Sequence, residues 1–287
     1  MAYEGVVIMG KKLDVLVADC SGNITIMVLT PVDRSNYKVV AQALLDNEAM
    51  GGEQVAFVVP GDPNDKMEMC GLEFCGNASR AFALYTVAAA DKLDAGYGEA
   101  LVSVSGCDVP LAARVHDAEV VPGSMACDAV VEMDMPVPVG ARELTGAELG
   151  ISKGGLLVDM DGISHLILTD VAPSAALFDD VKARIYEEID PDMPAFGIMF
   201  CDTVNELMTP VVYVRDVDST YFEGSCASGS VAASYALAKD AADGIHRYTL
   251  QQPEGALYTS VVKEKGRIEG ISLKGLVTLS DIVSVEV

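Results

Sequence analysis

The sequence predicts an α+β protein of two duplicated lobes, each a β-sheet wrapped around a central helix. Three observations carry that reading. The stretch "EFCGNASRAFALYTVAAAD" (73–91) returns half a chain later as "EGSCASGSVAASYALAKDAAD" (223–243), so a cysteine precedes a small-residue helix twice. Each copy is surrounded by short β-rich runs punctuated by Gly, Pro and Asn. Both helices are rich in alanine (Ala81, Ala83, Ala88, Ala89 and Ala90; Ala232, Ala233 and Ala236), which suits helices that other elements approach closely.

In chain order, "LDVLVADCSGNITIMVLT" (13–30) reads as two strands around a Ser21-Gly22-Asn23 turn. A helix starts near Ser35, carries Val39, Val40, Ala43 and Leu44 on one face, and stops at Gly51-Gly52. "EQVAFVVP" is a buried strand ended by Pro60 and Gly61. The first cysteine and its helix follow, then strand-like "ALVSVSGCDVPLAARV". Pro136, Pro138 and Gly140 in "AVVEMDMPVPVG" mark a change of segment.

The second half repeats the plan. "GGLLVDMDGISHLILTDV" looks like a hairpin turning at Asp161-Gly162. A helix near 173–189 precedes strands "FGIMFCD" and "TPVVYVRDV", then the second cysteine and its helix. "IHRYTLQQPEGALYTSVV" and "ISLKGLVTLSDIVSVEV" close the chain as strands. This gives an N-terminal lobe over 1–130, completed by a returning strand at 278–287, and a C-terminal lobe over 131–277.

Composition narrows the function classes. Over 287 residues, 51% hydrophobic and 22% charged side chains describe a folded chain with a large core. A net charge of −24 argues against nucleic acid, whose phosphates demand Lys and Arg. No run approaches ~18 uninterrupted apolar residues, so no membrane span is expected. The opening "MAYEGVVIMGKKLDVLV" places its basic pair after the short apolar run, the wrong order for a secretory signal. Seven cysteines without tight spacing then fit reduced thiols in a cytoplasm. The gap in "CGLEFC" and a total of three histidines disfavour a zinc site. Nothing in the sequence advertises a cofactor, and none is expected.

A helix N-terminus presents unpaired N–H groups and a partial positive charge. Cys75 and Cys226 would sit in that field, which favours the thiolate. The N–H groups of the small residues that follow, Gly76-Asn77 and Ala227-Ser228, form an anion site. Two such ends facing one carboxylate would place a cysteine on each face of the attached carbon, as a two-base racemase requires. Donors aimed at the carboxylate would stabilise the dianion-like transition state. A pair of buried apolar cysteines, or a redox couple in a non-catalytic ligand-binding protein, would show the same spacing, and composition leaves these readings open.

At these residues the chain resembles the diaminopimelate epimerase superfamily, which includes proline racemases and other cofactor-independent racemases. Its two cysteine elements read here as "FCGNASR" and "SCASGS", with Ala78 and Ala227 where the family has glycine. Within the superfamily the chain is most similar to the histidine racemases of metallophore synthesis. "SGNITI", "EQVAF", "EFCGNA", "VSGC", "SCASGS", "QPEG" and "LKG" carry that likeness nearly end to end. Two departures argue against diaminopimelate as substrate. The family's Glu-Arg pair before the second cysteine is Val217 and Asp218, and its Gly-Asn-Pro-His element is Gly162-Ile163-Ser164-His165.

The resemblance implies an isomerase with Cys75 and Cys226 as catalytic acid and base, in a cleft between lobes. It implies substrate contacts from Asn23, Glu53, Gln54, Gly76, Asn77, Glu223, Ala227 and Ser228. Glu53 would pair with the substrate ammonium or imidazole, and Glu223 with a cationic side chain. His165 reads as a hydrogen-bonded core histidine, since the cysteines fill both base positions. The expected partner is a small amino acid. Many members of the superfamily are dimers, which leaves a homodimer open. Histidine racemisation is the leading reading, and diaminopimelate epimerisation or another epimerisation on this fold is the alternative.

Overall fold

The computed structural model describes residues 10–61, 64–215 and 218–287. The chain divides into two compact units. Unit 1 holds the described residues up to Cys20, Ile24–Val131 and Leu276–Val287; unit 2 holds Ser21–Asn23 and Glu132–Gly275.

Unit 1 carries β1 (Lys12–Asp19), β2 (Ile24–Val28), α1 (Tyr37–Leu45), β3 (Gln54–Val59), β4 (Lys66–Met69), α2 (Gly76–Ala89), β5 (Gly98–Val104), β6 (Leu111–Val120) and the start of β7 (Cys127–Met135). Strand pairing alternates: β1–β2 antiparallel, β2–β3 parallel, β3–β4 antiparallel, β4–β5 parallel, β5–β6 antiparallel. A parallel pair needs a crossover, and a helix supplies each one: α1 before β3, α2 before β5.

Unit 2 carries β8 (Gly140–Leu144), α3 (Gly146–Leu149), β9 (Gly155–Met160), β10 (Ile163–Thr169), α4 (Ala175–Arg184), β11 (Ala195–Asp202), β12 (Leu207–Val214), β13 (Ser219–Phe222), α5 (Ala227–Ala238), β14 (Gly244–Gln252), β15 (Gly255–Glu264) and most of β16 (Arg267–Leu279). Its pairing runs β9–β10 antiparallel, β10–β11 parallel, β11–β12 antiparallel, β12–β14 parallel, β14–β15 antiparallel. Here α4 and α5 make the crossovers. The last strand, β17 (Val283–Glu286), pairs with β1 in unit 1.

Residue patterns account for these elements. β3, "QVAFVV", is apolar without alternation and its four central residues are buried. β16 alternates buried and exposed residues along its second half, as a strand with one wet face does. α1 starts at Tyr37, and its buried stripe is Tyr37, Val40, Ala41 and Leu44. Val39 and Ala43, expected on that face, are exposed instead, because the apolar period is set from Tyr37, whose ring stacks on Phe57. The predicted hairpin turn is present, with Gly162 at φ 83° between β9 and β10.

The two alanine-rich helices are the most enclosed. In α2, every residue from Gly76 to Leu84 is buried, and the helix packs on β1, β5 and β6. α5 packs on β9, β10, β11, β14 and β15. Its C-terminal carbonyls are covered by Lys263, whose Nζ donates to the carbonyls of Ala238, Lys239 and, at 2.8 Å, Ala241. Among the described residues no helix is long and apolar enough to cross a membrane.

Candidate active site

Cys75 is the N-cap of α2 and Cys226 the N-cap of α5, in nearly one conformation: φ −129°, ψ 110° and φ −123°, ψ 111°. Each sulfur accepts from the backbone N–H three residues on, Ala78 at 3.5 Å and Gly229 at 3.4 Å. In each case a serine one residue further, Ser79 or Ser230, returns its hydroxyl to the cysteine carbonyl, at 2.7 and 2.6 Å. The shared pattern is Cys-x-x-small-Ser. Extended backbone at the cysteine and an amide aimed at its sulfur define a helix cap, with thiol in place of the usual hydroxyl or carboxylate.

The surroundings of Cys75 lie within unit 1. Gln54 Nε2 reaches Cys75 Sγ at 3.4 Å and Thr25 Oγ1 at 2.8 Å. Ser105 and Gly106 brace the approach to the cysteine: Ser105 Oγ donates to the Glu73 carbonyl at 2.7 Å. A Cβ on Gly106 would fall 2.3 Å from the Phe74 nitrogen. Gly76 and Asn77 are buried, and Asn77 Oδ1 accepts from Arg80 Nη2 at 2.8 Å. Glu53 is exposed at the bend before β3, with its N–H donating to the Ile24 carbonyl at 2.9 Å.

The surroundings of Cys226 lie within unit 2. Gln252, buried at the end of β14, accepts from the Cys226 N–H at 2.8 Å and donates to Ser230 Oγ at 3.0 Å. Ser228 Oγ is 3.6 Å from Cys226 Sγ and 2.9 Å from His165 Nε2. Glu223 hydrogen-bonds the Cys226 thiol, and Ala227 is buried beside it. A Cβ on Gly229 would fall 2.1 Å from Met199 Sδ and 3.1 Å from Cys226 Sγ, so the Met199 side chain of β11 lies directly against this glycine. Asn23 lies in the Ser21-Gly22-Asn23 turn, which seats against the 252–255 turn: a Cβ on Gly22 would overlap Glu254, and one on Gly255 would overlap Ser21.

Burial overrides the helix field at both sulfurs. The Cys75 thiol is raised first by desolvation, against which the Ala78 N–H and Gln54 act. Cys226 is raised well above the ordinary thiol value, by desolvation and then by Glu223. The expected depressed thiols are therefore absent from this state, because dry surroundings penalise charge more than one cap can offset. His165 is fully buried and lowered to about 3 by desolvation, so it is neutral. All seven cysteines are free.

Within each unit the structure groups Gln54, Gly76 and Asn77 around Cys75, and Glu223, Ala227 and Ser228 around Cys226. Glu53 directly precedes Gln54 of the first group in the chain. Sequence reasoning gave no role to Gln252, Ser105 or Arg80, although "QPEG" and "VSGC" had marked two of those places. Of the departures noted at the family's Glu-Arg pair, Val217 lies outside the described residues, and Asp218 accepts from the Tyr213 hydroxyl at 2.9 Å.

The family described as "Histidine racemase CntK N-terminal domain" matches residues 13–283. The chain belongs to this histidine racemase family. A histidine racemase from Fusobacterium nucleatum subsp. nucleatum is 29% identical over 262 residues, covering 91% of this chain and 93% of that one. A histidine racemase from Staphylococcus aureus is 25% identical over 263 residues, covering 90% and 92%. Among solved structures, a hydroxyproline epimerase from Agrobacterium vitis aligns with a TM-score of 0.62 at 11% identity, covering 99% of this chain and 94% of that one. A probable proline racemase from Agrobacterium radiobacter aligns at 0.60 and 12%, covering 94% and 93%. These structural neighbours share the fold, a mixed sheet with few helices. As a member of the histidine racemase family, the chain is an isomerase of the racemase and epimerase class.

Proposed function

We propose that this isomerase racemises histidine without a cofactor, with Cys75 and Cys226 as its two acid–base groups. The observation that carries the proposal is the repeated cap: a cysteine in one conformation at the start of two buried helices, in a histidine racemase family member. One thiolate removes the Cα proton, and the other thiol returns a proton to the opposite face. The pair ends with the same total charge. The repeated order of strand pairing supports duplicated lobes, 1–130 completed by 278–287 and 131–277, each built around its alanine-rich helix.

The weak acidity of the Cα–H is the main barrier. N–H groups of Gly76, Asn77, Ala227 and Ser228 act as donors to the substrate carboxylate, each worth about 2.7–4 kcal/mol when well placed in a dry site. Asn23, Glu53, Gln54 and Glu223 complete substrate binding, with Glu53 and Glu223 facing the cationic groups of histidine. An imidazole titrates near neutrality, so a carboxylate partner favours its charged form.

The test is a racemisation screen of the common L-amino acids and diaminopimelate in deuterated water, read by chiral chromatography and mass. Histidine should lead, with deuterium entering at Cα during inversion. Glu53→Gln should weaken turnover of histidine while the protein stays folded. Faster turnover of diaminopimelate, or a fully active Glu53→Gln, would remove the substrate assignment.

A further inference from the structure

Side chains hold Cys226 on both sides of its Cα. Its N–H donates to Gln252 Oε1 at 2.8 Å, Gln252 Nε2 donates to Ser230 Oγ at 3.0 Å, and Ser230 Oγ donates to the Cys226 carbonyl at 2.6 Å. The three bonds close a ring. A backbone N–H can only donate, so the Gln252 oxygen faces Cys226, its amide nitrogen faces Ser230, and the serine proton goes to the carbonyl. Each member therefore has one orientation that satisfies the other two. Gln252 is 3% exposed and Ser230 0%, so a broken member leaves buried polar groups unpaired.

Gln252 is itself held in place. It forms the last rung of the β14–β15 hairpin, opposite Gly255, and two residues on the Glu254 N–H bonds the Gly224 carbonyl at 3.1 Å. The hairpin turn thus takes hold of the chain at Gly224 and again at Cys226, immediately before α5. With its N–H and carbonyl both pinned, Cys226 keeps rotation about Cα–Cβ, and the Gly229 N–H, 3.4 Å from the sulfur, sets that angle. The glutamine at the first cap works differently: Gln54 Nε2 reaches the Cys75 sulfur itself, at 3.4 Å.

We propose that Gln252 is a positioning residue for the reaction: through its ring with Ser230 it fixes where the Cys226 sulfur stands, and it acts on that sulfur and not on Cys75. This rests on the two-cysteine reading above and adds a residue that works through the backbone of the cysteine. Proton transfer is sensitive to small misplacements of the reacting groups. A loosened ring therefore slows the half of the reaction that Cys226 carries and spares the half that Cys75 carries.

Cα proton exchange of histidine in deuterated water separates the two halves once one cysteine is removed. In Cys75→Ser, where Cys226 is the remaining base, adding Gln252→Met should slow exchange about ten- to a hundredfold, the scale of a misplacement approaching ~1 Å. In Cys226→Ser the same substitution should leave exchange unchanged. Ser230→Ala opens the ring but keeps the Cys226 N–H bonded, so it should show the same split more weakly. It takes the place of Gln252→Met if that variant fails to fold. Equal loss in both backgrounds would mark a general loss of packing and overturn the proposal, as would no loss in either. Iodoacetamide labelling of the whole protein, followed at each cysteine by mass spectrometry, needs no turnover. Gln252→Met should quicken labelling of Cys226 and leave Cys75 as it was; quickening at both, or at neither, overturns the proposal. Full inversion in Cys75→Ser or Cys226→Ser would instead remove the two-cysteine reading, and the labelling would still test the ring.

Discussion

At the start of α2 and again at the start of α5 the chain makes one cap, with matching backbone angles, an amide to the sulfur and a serine hydroxyl to the cysteine carbonyl. The neighbours brought in from elsewhere do not match. Cys75 has an amide side chain in contact and a buried guanidinium one turn on; Cys226 has a carboxylate in contact and a neutral Ser–His pair beyond it. Local sequence thus sets where each sulfur sits, and residues remote in the chain set how readily it ionises.

The largest effect should come from removing either sulfur. Cys75→Ser and Cys226→Ser should each lower racemisation by about 10²–10⁴-fold, the range for one proton-transfer group. Each variant should retain Cα proton exchange from one enantiomer, a different one for each, as chiral chromatography in deuterated water would reveal. Exchange from the same enantiomer in both would break the division of labour.

Next come the braces. Gly106→Ala meets both a φ of 66° and the Phe74 backbone, so it should cost at least about 1–3 kcal/mol in urea unfolding and disturb Cys75 labelling before Cys226 labelling. Gln252→Met strands the Cys226 N–H, a loss of about 1–3 kcal/mol, and should disturb the two labels in the opposite order.

The smallest effect at neutral pH belongs to His165. It is neutral when folded, with a value lowered to about 3, whereas the unfolded chain protonates it near 6.5. Its contribution to stability is therefore complete above about 6.5 and is lost as pH falls toward 3. Melting temperatures of His165→Gln should fall less over that window than those of the unmodified protein. Parallel curves would show that some other group carries the acid sensitivity.

Much of the architecture was legible where a local signal exists. The repeated "CGNAS" and "CASGS" stretches placed both helix starts, Asp161-Gly162 placed a turn, and the unbroken apolar run placed β3. Short elements such as β4, β8 and β13 were not legible, because strands of four or five residues find their partners only through tertiary pairing. The same limit applied to the site. Gln252 reaches Cys226 across 26 positions and His165 reaches Ser228 across 63, distances over which no periodicity operates. The ionisation of the thiols was misread for a related reason: a helix terminus is visible in sequence, and the dryness around it is not.

The return of the final strands also bears on how the polypeptide matures. β1 pairs with β2 on one side and, on the other, with β17 and the end of β16; the Val17 N–H bonds Ser280 Oγ across 263 positions. On the ribosome, β1 emerges early and then waits with one edge bare while the whole of 132–275 is synthesised. Bare edges are adhesive toward other chains. Apart from the pairing of β7 with β16, unit 2 draws its strand pairs from elements near one another in sequence, and these can form during that interval. Residues 276–287 act as a seal applied late, and a nascent chain stalled before them would carry an open β1 edge, a target for chaperones or for other stalled chains.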